Sequence, residues 1–224
     1  MKKNKIFVAC DSTNISKIKQ IIRETSNSKI KFGYKFGLEF LNSKSGRSFI
    51  SKLKNKIIFA DLKLHDIPNT CISTIKAIKD LKVNYLTIHI SSGLEALKAA
   101  KKVAERIKLV GVTILTSLDN KALKEIGFNK DVKKIVLQQA RLASKAKLDA
   151  IVCSAQEVKL VKKVFKKEII TPGIRFSSKL NDQKRTLTPK QAYRNGADYL
   201  VIGRDITKGN IKKNIKKLIN HLNQ

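Results

Sequence analysis

Residues 59–70 read FADLKLHDIPNT, a short apolar run that leads directly into a cluster of charges. The apolar run predicts a buried strand. Side chains two positions apart on a strand point to the same face, so we expect Asp61 and Lys63 to project together. Asp66 follows where the strand must break before Pro68, a residue that can open a helix at its first turn. The stretch therefore predicts a strand, a charged loop and a helix in that order.

The charged cluster has two interpretations. Charged groups on the inner face of a buried sheet are costly unless they are paired or used, because their desolvation must be offset. An acid, a base and a second acid at the carboxyl end of a strand are therefore a candidate site. The same D-x-K-x-x-D spacing also fits a salt-bridged strand end, and the spacing alone does not choose between them.

Further apolar runs place this strand in a larger pattern. Eight such runs alternate with amphipathic stretches, at residues 6–10, 30–36, 57–61, 85–90, 109–115, 150–153, 168–171 and 199–202. Continuous apolar runs fit parallel strands covered on both faces. Eight units are the number that closes a barrel, whereas an open doubly wound sheet usually has fewer strands. We therefore predict an α/β fold in which residues 1–224 form a single (β/α)8 TIM-barrel domain.

Two of the intervening stretches are clear amphipathic helices. Residues 14–22 repeat Ile at helical spacing, with Thr13 or Asn14 as the predicted N-cap. Residues 211–222 place five aliphatic side chains on one stripe opposite lysines. Such a helix could also lie on a membrane surface, but its apolar face has no Trp or Phe, so we expect it to pack on the core.

The formal net charge of +31 would attract anions, including nucleic acid. The lysines are nevertheless spread over nearly every helical stretch, without aromatic interleaving and without a single basic tail. Nucleic-acid surfaces are usually clustered basic patches. The distribution therefore favours solvated outer faces, and we expect no nucleic-acid partner.

Several other classes of protein are disfavoured by what the sequence contains. Cys10, Cys71 and Cys153 are too far apart for a disulfide framework or a metal cluster, and they are expected to behave as small buried hydrophobes. No Gly-rich phosphate loop or zinc spacing occurs. The basic N-terminus precedes an apolar run too short for a signal peptide or a membrane span. We expect a cytoplasmic protein with no membrane partner, no metal and no cofactor.

Polar or flexible residues follow nearly every predicted strand. Because the carboxyl ends of barrel strands build the active site, these residues are candidates for one rim. Each has an alternative role: Asp11 could cap a helix, His89 could be a core histidine, and Gly203 could simply let the chain turn. Arg204 is better explained as an anion clamp. The rim candidates are Asp11, Lys35, Asp61, Lys63, His89, Thr116, Ser154, Arg175, Gly203 and Arg204.

The motifs resemble those of the orotidine 5'-phosphate decarboxylase family over essentially the whole chain. The D-x-K-x-x-D piece is shared with related sugar-phosphate barrels, but its extension to IPNT, together with PGIR and a downstream Asp-Gln, is specific. The matching motifs are KFGLE at 35–39, DLKLHDIPNT at 61–70, LTS at 115–117, PGIR at 172–175, NDQ at 181–183 and IGR at 202–204.

The resemblance implies decarboxylation of orotidine 5'-monophosphate to uridine 5'-monophosphate, without a cofactor, in pyrimidine synthesis. Lys63 would stabilise and protonate a carbanion at C6, with Asp61 and Asp66 as the other catalytic groups. Asp66 would reach the partner's site, which implies a homodimer. The implied substrate-binding residues are Asp11 and Lys35 for the ribose, Thr70, Thr116 for the pyrimidine, and Arg175, Gln183, Gly203 and Arg204 for the phosphate, with 172–187 as a closing loop.

Two rival functions remain open on the sequence. A metal-dependent barrel enzyme acting on a sugar phosphate would need a carboxylate pattern suited to magnesium and would lack the PGIR and Asp-Gln series. A basic nucleic-acid-binding protein would form salt-dependent complexes.

Overall fold

A computed structural model describes residues 5–176 and 186–223 of the chain. Eight parallel strands follow one another around a closed barrel, and the last strand pairs with the first. This confirms the predicted (β/α)8 barrel. The strands are β1 Lys5–Ala9, β2 Lys31–Gly37, β3 Ile58–Leu64, β4 Tyr85–His89, β5 Lys108–Val112, β6 Ala150–Val152, β7 Glu168–Thr171 and β8 Tyr199–Ile202.

Helices lie outside the strands and cover them. The α-helices are α1 Ile15–Ser26, α2 Leu38–Leu41, α3 Gly46–Ser51, α4 Pro68–Ala77, α5 Gly93–Ala104, α6 Asn120–Glu125, α7 Val132–Lys145, α8 Val158–Val161, α9 Pro189–Asn195, α10 Arg204–Thr207 and α11 Ile211–Asn223. Short 3₁₀ helices cover Lys79–Leu81 and Ile90–Ser92. Within the described ranges, no helix has the length and apolar character needed to cross a membrane.

Local sequence signals set several helix ends as predicted. The Asn14 side chain accepts a hydrogen bond from the backbone N–H of Lys17 and so caps α1. Pro68 occupies the first turn of α4, where its missing N–H costs nothing. Ile211, Ile215 and Leu218 of α11 are buried against the core, as the stripe predicted.

The barrel interior is filled by aromatic rings at the end where the strands begin. The ring of Phe7 lies 5.0 Å from that of Phe59 and 5.2 Å from that of Tyr199 between centroids. Gly33 on β2 faces the same ring, and a Cβ there would lie 2.6 Å from it. The absence of a side chain at Gly33 therefore makes room for Phe7, and the rings fill this end of the barrel interior, whereas a cavity opens toward the opposite end of the strands.

Two strand ends differ from the sequence prediction by three residues, whereas the ends of the other strands agree within one residue. The apolar run at 109–115 predicted a longer β5, but the strand ends at Val112, after which the backbone N–H and the hydroxyl of Thr113 both donate to the carbonyl of Val152. The run at 57–61 predicted a strand ending at Asp61, but β3 continues to Leu64 with a register shift against β4. Hydrophobicity did not reveal the extension because its residues are charged or only partly buried.

Candidate active site

A cavity of about 440 Å³ opens at the carboxyl end of the barrel strands. Its wall combines apolar side chains from the barrel interior with charged groups from the loops. The polar residues and glycines that line it are Asp11, Lys35, Asp61, Lys63, Thr116, Cys153, Gly173, Arg175, Gly203 and Arg204. Most of the rim residues singled out in the sequence therefore lie around one cavity.

The centre of the cavity is a carboxylate held between two ammonium groups. Asp61 Oδ2 lies 3.0 Å from Lys63 Nζ and 3.2 Å from Lys35 Nζ. The Asp61 side chain is 11% exposed, and that of Lys63 is 34% exposed. The side chain of Lys63 is thus more accessible than that of Asp61. A molecule in the cavity can reach the Lys63 ammonium group, and the ion pair with Asp61 holds that group in place.

Asp61 and Lys63 meet as predicted, but not through regular strand alternation. The backbone of Lys63 is left-handed, with φ of 49°, within the part of β3 whose register shifts against β4. A non-glycine residue in that region is strained by about 1–2 kcal/mol. The strain is offset locally, because the Lys63 N–H donates a 2.7 Å hydrogen bond to the side chain of Thr87.

Asp11 extends this ionic group toward solvent. Its Oδ1 lies 3.2 Å from Lys35 Nζ, and its side chain is 58% exposed. The alternative that Asp11 caps the first helix is wrong, because Asn14 does so. Asp11, Lys35, Asp61 and Lys63 therefore form one row of alternating charge from the rim to the centre.

The ion pairs of this row hold Asp61 and Lys35 in their charged forms. Burial by itself raises the pKa of Asp61, but the ammonium groups of Lys35 and Lys63 outweigh it, so the pKa lies below its usual value. Burial likewise lowers the pKa of Lys35, but the carboxylates of Asp61 and Asp11 outweigh it and the pKa is raised. Lys35 and Asp61 therefore stay ionised across neutral pH.

These shifts predict a pH-dependent stability difference. A lowered folded-state pKa means that the contribution of Asp61 is complete above its ordinary pKa of about 3.9 and is lost as pH falls through the lowered value. We expect Asp61→Asn to cost about 3 kcal/mol at pH 7, because two ammonium groups lose their shared partner. Urea unfolding of both proteins between pH 7 and pH 2 should show this difference shrinking below about pH 4. A difference independent of pH would contradict the pairing.

Arg175, which follows β7, and Gly203 and Arg204, which follow β8, also line the cavity. Arg175 Nη1 lies 3.3 Å from Asp205 Oδ1, and Asp205 Oδ2 accepts a 2.8 Å hydrogen bond from the backbone N–H of Phe176. Asp205 therefore fixes the segment after β7 against the start of α10. Gln183 and most of the predicted closing loop at 172–187 lie outside the described residues.

Asp66 and Thr70 are not brought into this cavity. Both are exposed, Asp66 before α4 and Thr70 within its first turn. One Asp66 oxygen accepts a 2.7 Å hydrogen bond from the backbone N–H of Ile67. The second acid of the D-x-K-x-x-D pattern thus points away from the centre of its own barrel.

His89 is not among the residues that line the cavity, and it is half-buried at the end of β4 with its ring 5.1 Å from that of His65. Burial lowers its pKa, and the charges of His65 and Lys63 lower it further. The imidazole is therefore neutral at neutral pH, which fits the alternative of a partly buried core histidine.

Sequence reasoning missed three features of the site. It gave Lys35 a role in binding the substrate but did not predict that Lys35 contacts Asp61. It also did not single out Thr87 or Asp205. The signals were present but weak. Thr87 is a hydroxyl inside the apolar run of β4, and Asp205 directly follows the Gly-Arg pair after β8.

Comparisons with known proteins agree with this geometry. A family model described as "Orotidine 5'-phosphate decarboxylase / HUMPS family" matches residues 4–217. The curated orotidine 5'-phosphate decarboxylase of Wolbachia pipientis subsp. Culex pipiens (strain wPip) is 44% identical over 223 residues, covering 96% of this chain and 97% of that protein. The protein of the same name from Ehrlichia chaffeensis is 47% identical over 180 residues, covering 77% and 78%.

The fold of this chain is also similar to that of a solved structure with the same family name. The crystal structure of orotidine 5'-phosphate decarboxylase from Lactobacillus acidophilus matches with a TM-score of 0.81 and 30% sequence identity, covering 99% of this chain and 100% of that one. Fold, motifs and full-length similarity coincide, and the chain belongs to the orotidine 5'-phosphate decarboxylase / HUMPS family.

Proposed function

We propose that this protein decarboxylates orotidine 5'-monophosphate to uridine 5'-monophosphate and carbon dioxide in pyrimidine synthesis. The observation that carries the proposal is Asp61 held between Lys35 and Lys63 at the base of the cavity. The comparisons support the proposal because curated relatives that match along nearly the full chain are named orotidine 5'-phosphate decarboxylase.

The reaction needs a cation at one carbon atom. When the bond from C6 to the carboxyl carbon breaks, its electron pair stays on C6 and carbon dioxide departs. Two unit charges about 4 Å apart interact by about 4 kcal/mol at an effective dielectric of 20, so a nearby ammonium group stabilises this carbanion substantially. Lys63 then gives a proton to C6, becomes a neutral amine, and regains a proton from water.

Asp61 has two roles in this proposal. Its contact with Lys63 keeps the ammonium aimed at the reacting carbon. The substrate carboxylate would also lie against the Asp61 carboxylate, and their repulsion is relieved when carbon dioxide leaves. A fixed charge array of this kind needs no reorganisation during the reaction.

The remaining cavity residues match the other parts of a nucleotide. We assign Asp11 and Lys35 to the ribose hydroxyls, Thr116 to the pyrimidine, and Arg175, Gln183, Gly203 and Arg204 to the phosphate. The cavity supports this assignment for the described residues, because Asp11, Lys35, Thr116, Arg175, Gly203 and Arg204 all line it. The phosphate is remote from C6, so its binding energy can be used to organise the site.

The decisive experiment follows the loss of ultraviolet absorbance of orotidine monophosphate with purified protein and a chelator. We expect full activity in the chelator and none on sugar phosphates. Activity that needs a divalent metal, or turnover of a sugar phosphate alone, would instead support the rival barrel enzyme.

Arg204→Ala is expected to weaken capture of the intact nucleotide by about 100-fold in kcat/KM, because a charge-assisted contact to phosphate is lost. The phosphate-free nucleoside orotidine provides the comparison, and its slow turnover should be unchanged. Lys208→Ala, which removes an exposed cation close by in the chain, is the matched control. Equal losses on nucleotide and nucleoside would refute the phosphate assignment.

Four further features belong to the same proposal. The whole chain is one catalytic domain, it works without a cofactor, and it acts in the cytoplasm as a homodimer in which Asp66 serves the partner's site. The exposure of Asp66 just before α4 supports this role, and Thr70 is assigned to substrate binding. The protein has no nucleic-acid partner, and binding to duplex or single strand at about 0.15 M salt would contradict that.

A further inference from the structure

Thr87 occupies an unusual position beneath the reacting centre. It lies in the middle of β4, and only 1% of its surface is exposed. Its Oγ1 accepts the 2.7 Å hydrogen bond from the Lys63 N–H and donates a 3.2 Å hydrogen bond to Asp61 Oδ1. One buried hydroxyl therefore contacts both of the residues at the centre of the cavity.

The pairing of β3 with β4 explains why a side chain is needed there. Ala60 pairs with Leu86, and the next pair joins Leu64 to Ile88. Thr87 is therefore the one β4 residue opposite the three β3 residues 61–63. The backbone of Thr87 cannot form hydrogen bonds with all three of these residues. The register shift leaves the Lys63 N–H without a backbone partner on β4, and the Thr87 hydroxyl accepts it.

The second hydrogen bond sets the direction of the carboxylate. Asp61 Oδ1 is held by Thr87, while Oδ2 faces Lys35 and Lys63. The hydroxyl has one proton to give, and it also has lone pairs to accept the Lys63 N–H. Both of its hydrogen bonds therefore act together to fix the backbone that carries Lys63 and the side chain that Lys63 contacts.

We propose that Thr87 is a positioning residue for the decarboxylation, acting by holding Asp61 and the left-handed backbone of Lys63 in register with each other. The inference rests on the proposed function and deepens it. Thr87 does not line the cavity, so it acts on the substrate only through these two residues.

The test compares Thr87→Val with Thr87→Ser. Valine keeps the volume but leaves a buried N–H and a carboxylate oxygen without the hydroxyl, whereas serine keeps both hydrogen bonds. We expect Thr87→Val to lower kcat by about 10- to 100-fold with KM changed less than about 3-fold, and Thr87→Ser to retain most of kcat. If Thr87→Val does not fold, Thr87→Ala replaces it with the same expected split.

Thr113→Val is the matched control. Thr113 is equally buried in the barrel, and its hydroxyl donates a 2.9 Å hydrogen bond to the Val152 carbonyl. We expect this variant to lose stability with an unchanged kcat. Equal kcat values for Thr87→Val and the wild type, or an equal loss in Thr113→Val, would overturn the inference.

A crystal structure of Thr87→Val separates this inference from the proposed function. We expect the 3.0 Å distance between Lys63 Nζ and Asp61 Oδ2 to be lost in Thr87→Val and kept in Thr87→Ser. A wild-type protein without decarboxylase activity would refute the proposed function. The positioning role would then be tested by the distance between Lys63 Nζ and Asp61 Oδ2 in the two variants. An unchanged distance together with an unchanged φ at Lys63 would refute the positioning role itself.

Discussion

Lys63→Ala is expected to abolish turnover, with kcat reduced more than about 10⁴-fold, while the product nucleotide still binds measurably. The loss is large because one ammonium group both stabilises the carbanion and supplies its proton, and each effect is worth about 10²-fold or more. Absorbance assays at high enzyme concentration and calorimetric titration with uridine monophosphate measure the two quantities separately.

The control must separate the chemistry of Lys63 from its charge. Lys63→Arg keeps a cation near Asp61 but carries a group that does not release a proton at neutral pH. We expect it to bind product and to remain nearly inactive. Turnover of Lys63→Ala close to that of the wild type would remove Lys63 from the mechanism and with it the role proposed for Asp61.

Asp66→Ala is expected to lower kcat about 10³-fold without moving any group in its own cavity. In the structure Asp66 is exposed and lies outside that cavity, so a catalytic role requires a second subunit. A removed charge contact at the reacting centre costs about 10²–10³ in rate. Steady-state assays of the variant, together with its sedimentation behaviour, measure the effect and the oligomeric state.

Mixing two inactive variants tests the shared site directly. In a dimer formed by Lys63→Ala and Asp66→Ala chains, one site carries both substitutions and the other carries neither. After subunit exchange in equal amounts, about half of the dimers are mixed, so about a quarter of wild-type activity should return. Each variant alone is the control. No recovery in a sample that contains mixed dimers would show that Asp66 does not act across an interface.

Much of the architecture could be predicted because it follows from local patterns. The runs at 168–171 and 199–202 match β7 and β8 residue for residue, and the cap at Asn14 and the proline at position 68 mark two helix starts. These features depend on burial and on backbone hydrogen bonding within a few positions of the chain. The clustering of polar residues at strand ends likewise predicted which face carries the cavity.

The details of the charged centre could not be predicted in the same way. The sequence predicted that Asp61 and Lys63 lie together because side chains alternate regularly along a strand. In the structure they meet through a register shift of β3 against β4 and the left-handed backbone of Lys63. The contact of Lys35 with Asp61 joins β2 to β3, and the hydrogen bonds of Thr87 join β4 to β3. Such contacts depend on the pairing of strands that are distant in sequence.

By itself, the sequence determined that this chain forms eight β/α units and which rim carries the polar groups, because hydrophobic periodicity and capping act locally. Only the tertiary structure decided which charges touch and which way the second acid points. Asp61 shares one oxygen with two lysines, while Asp66, five positions later, faces solvent. The physical reason is that the energy of a charge depends on its distance to other charges and on its burial, and barrel closure sets both.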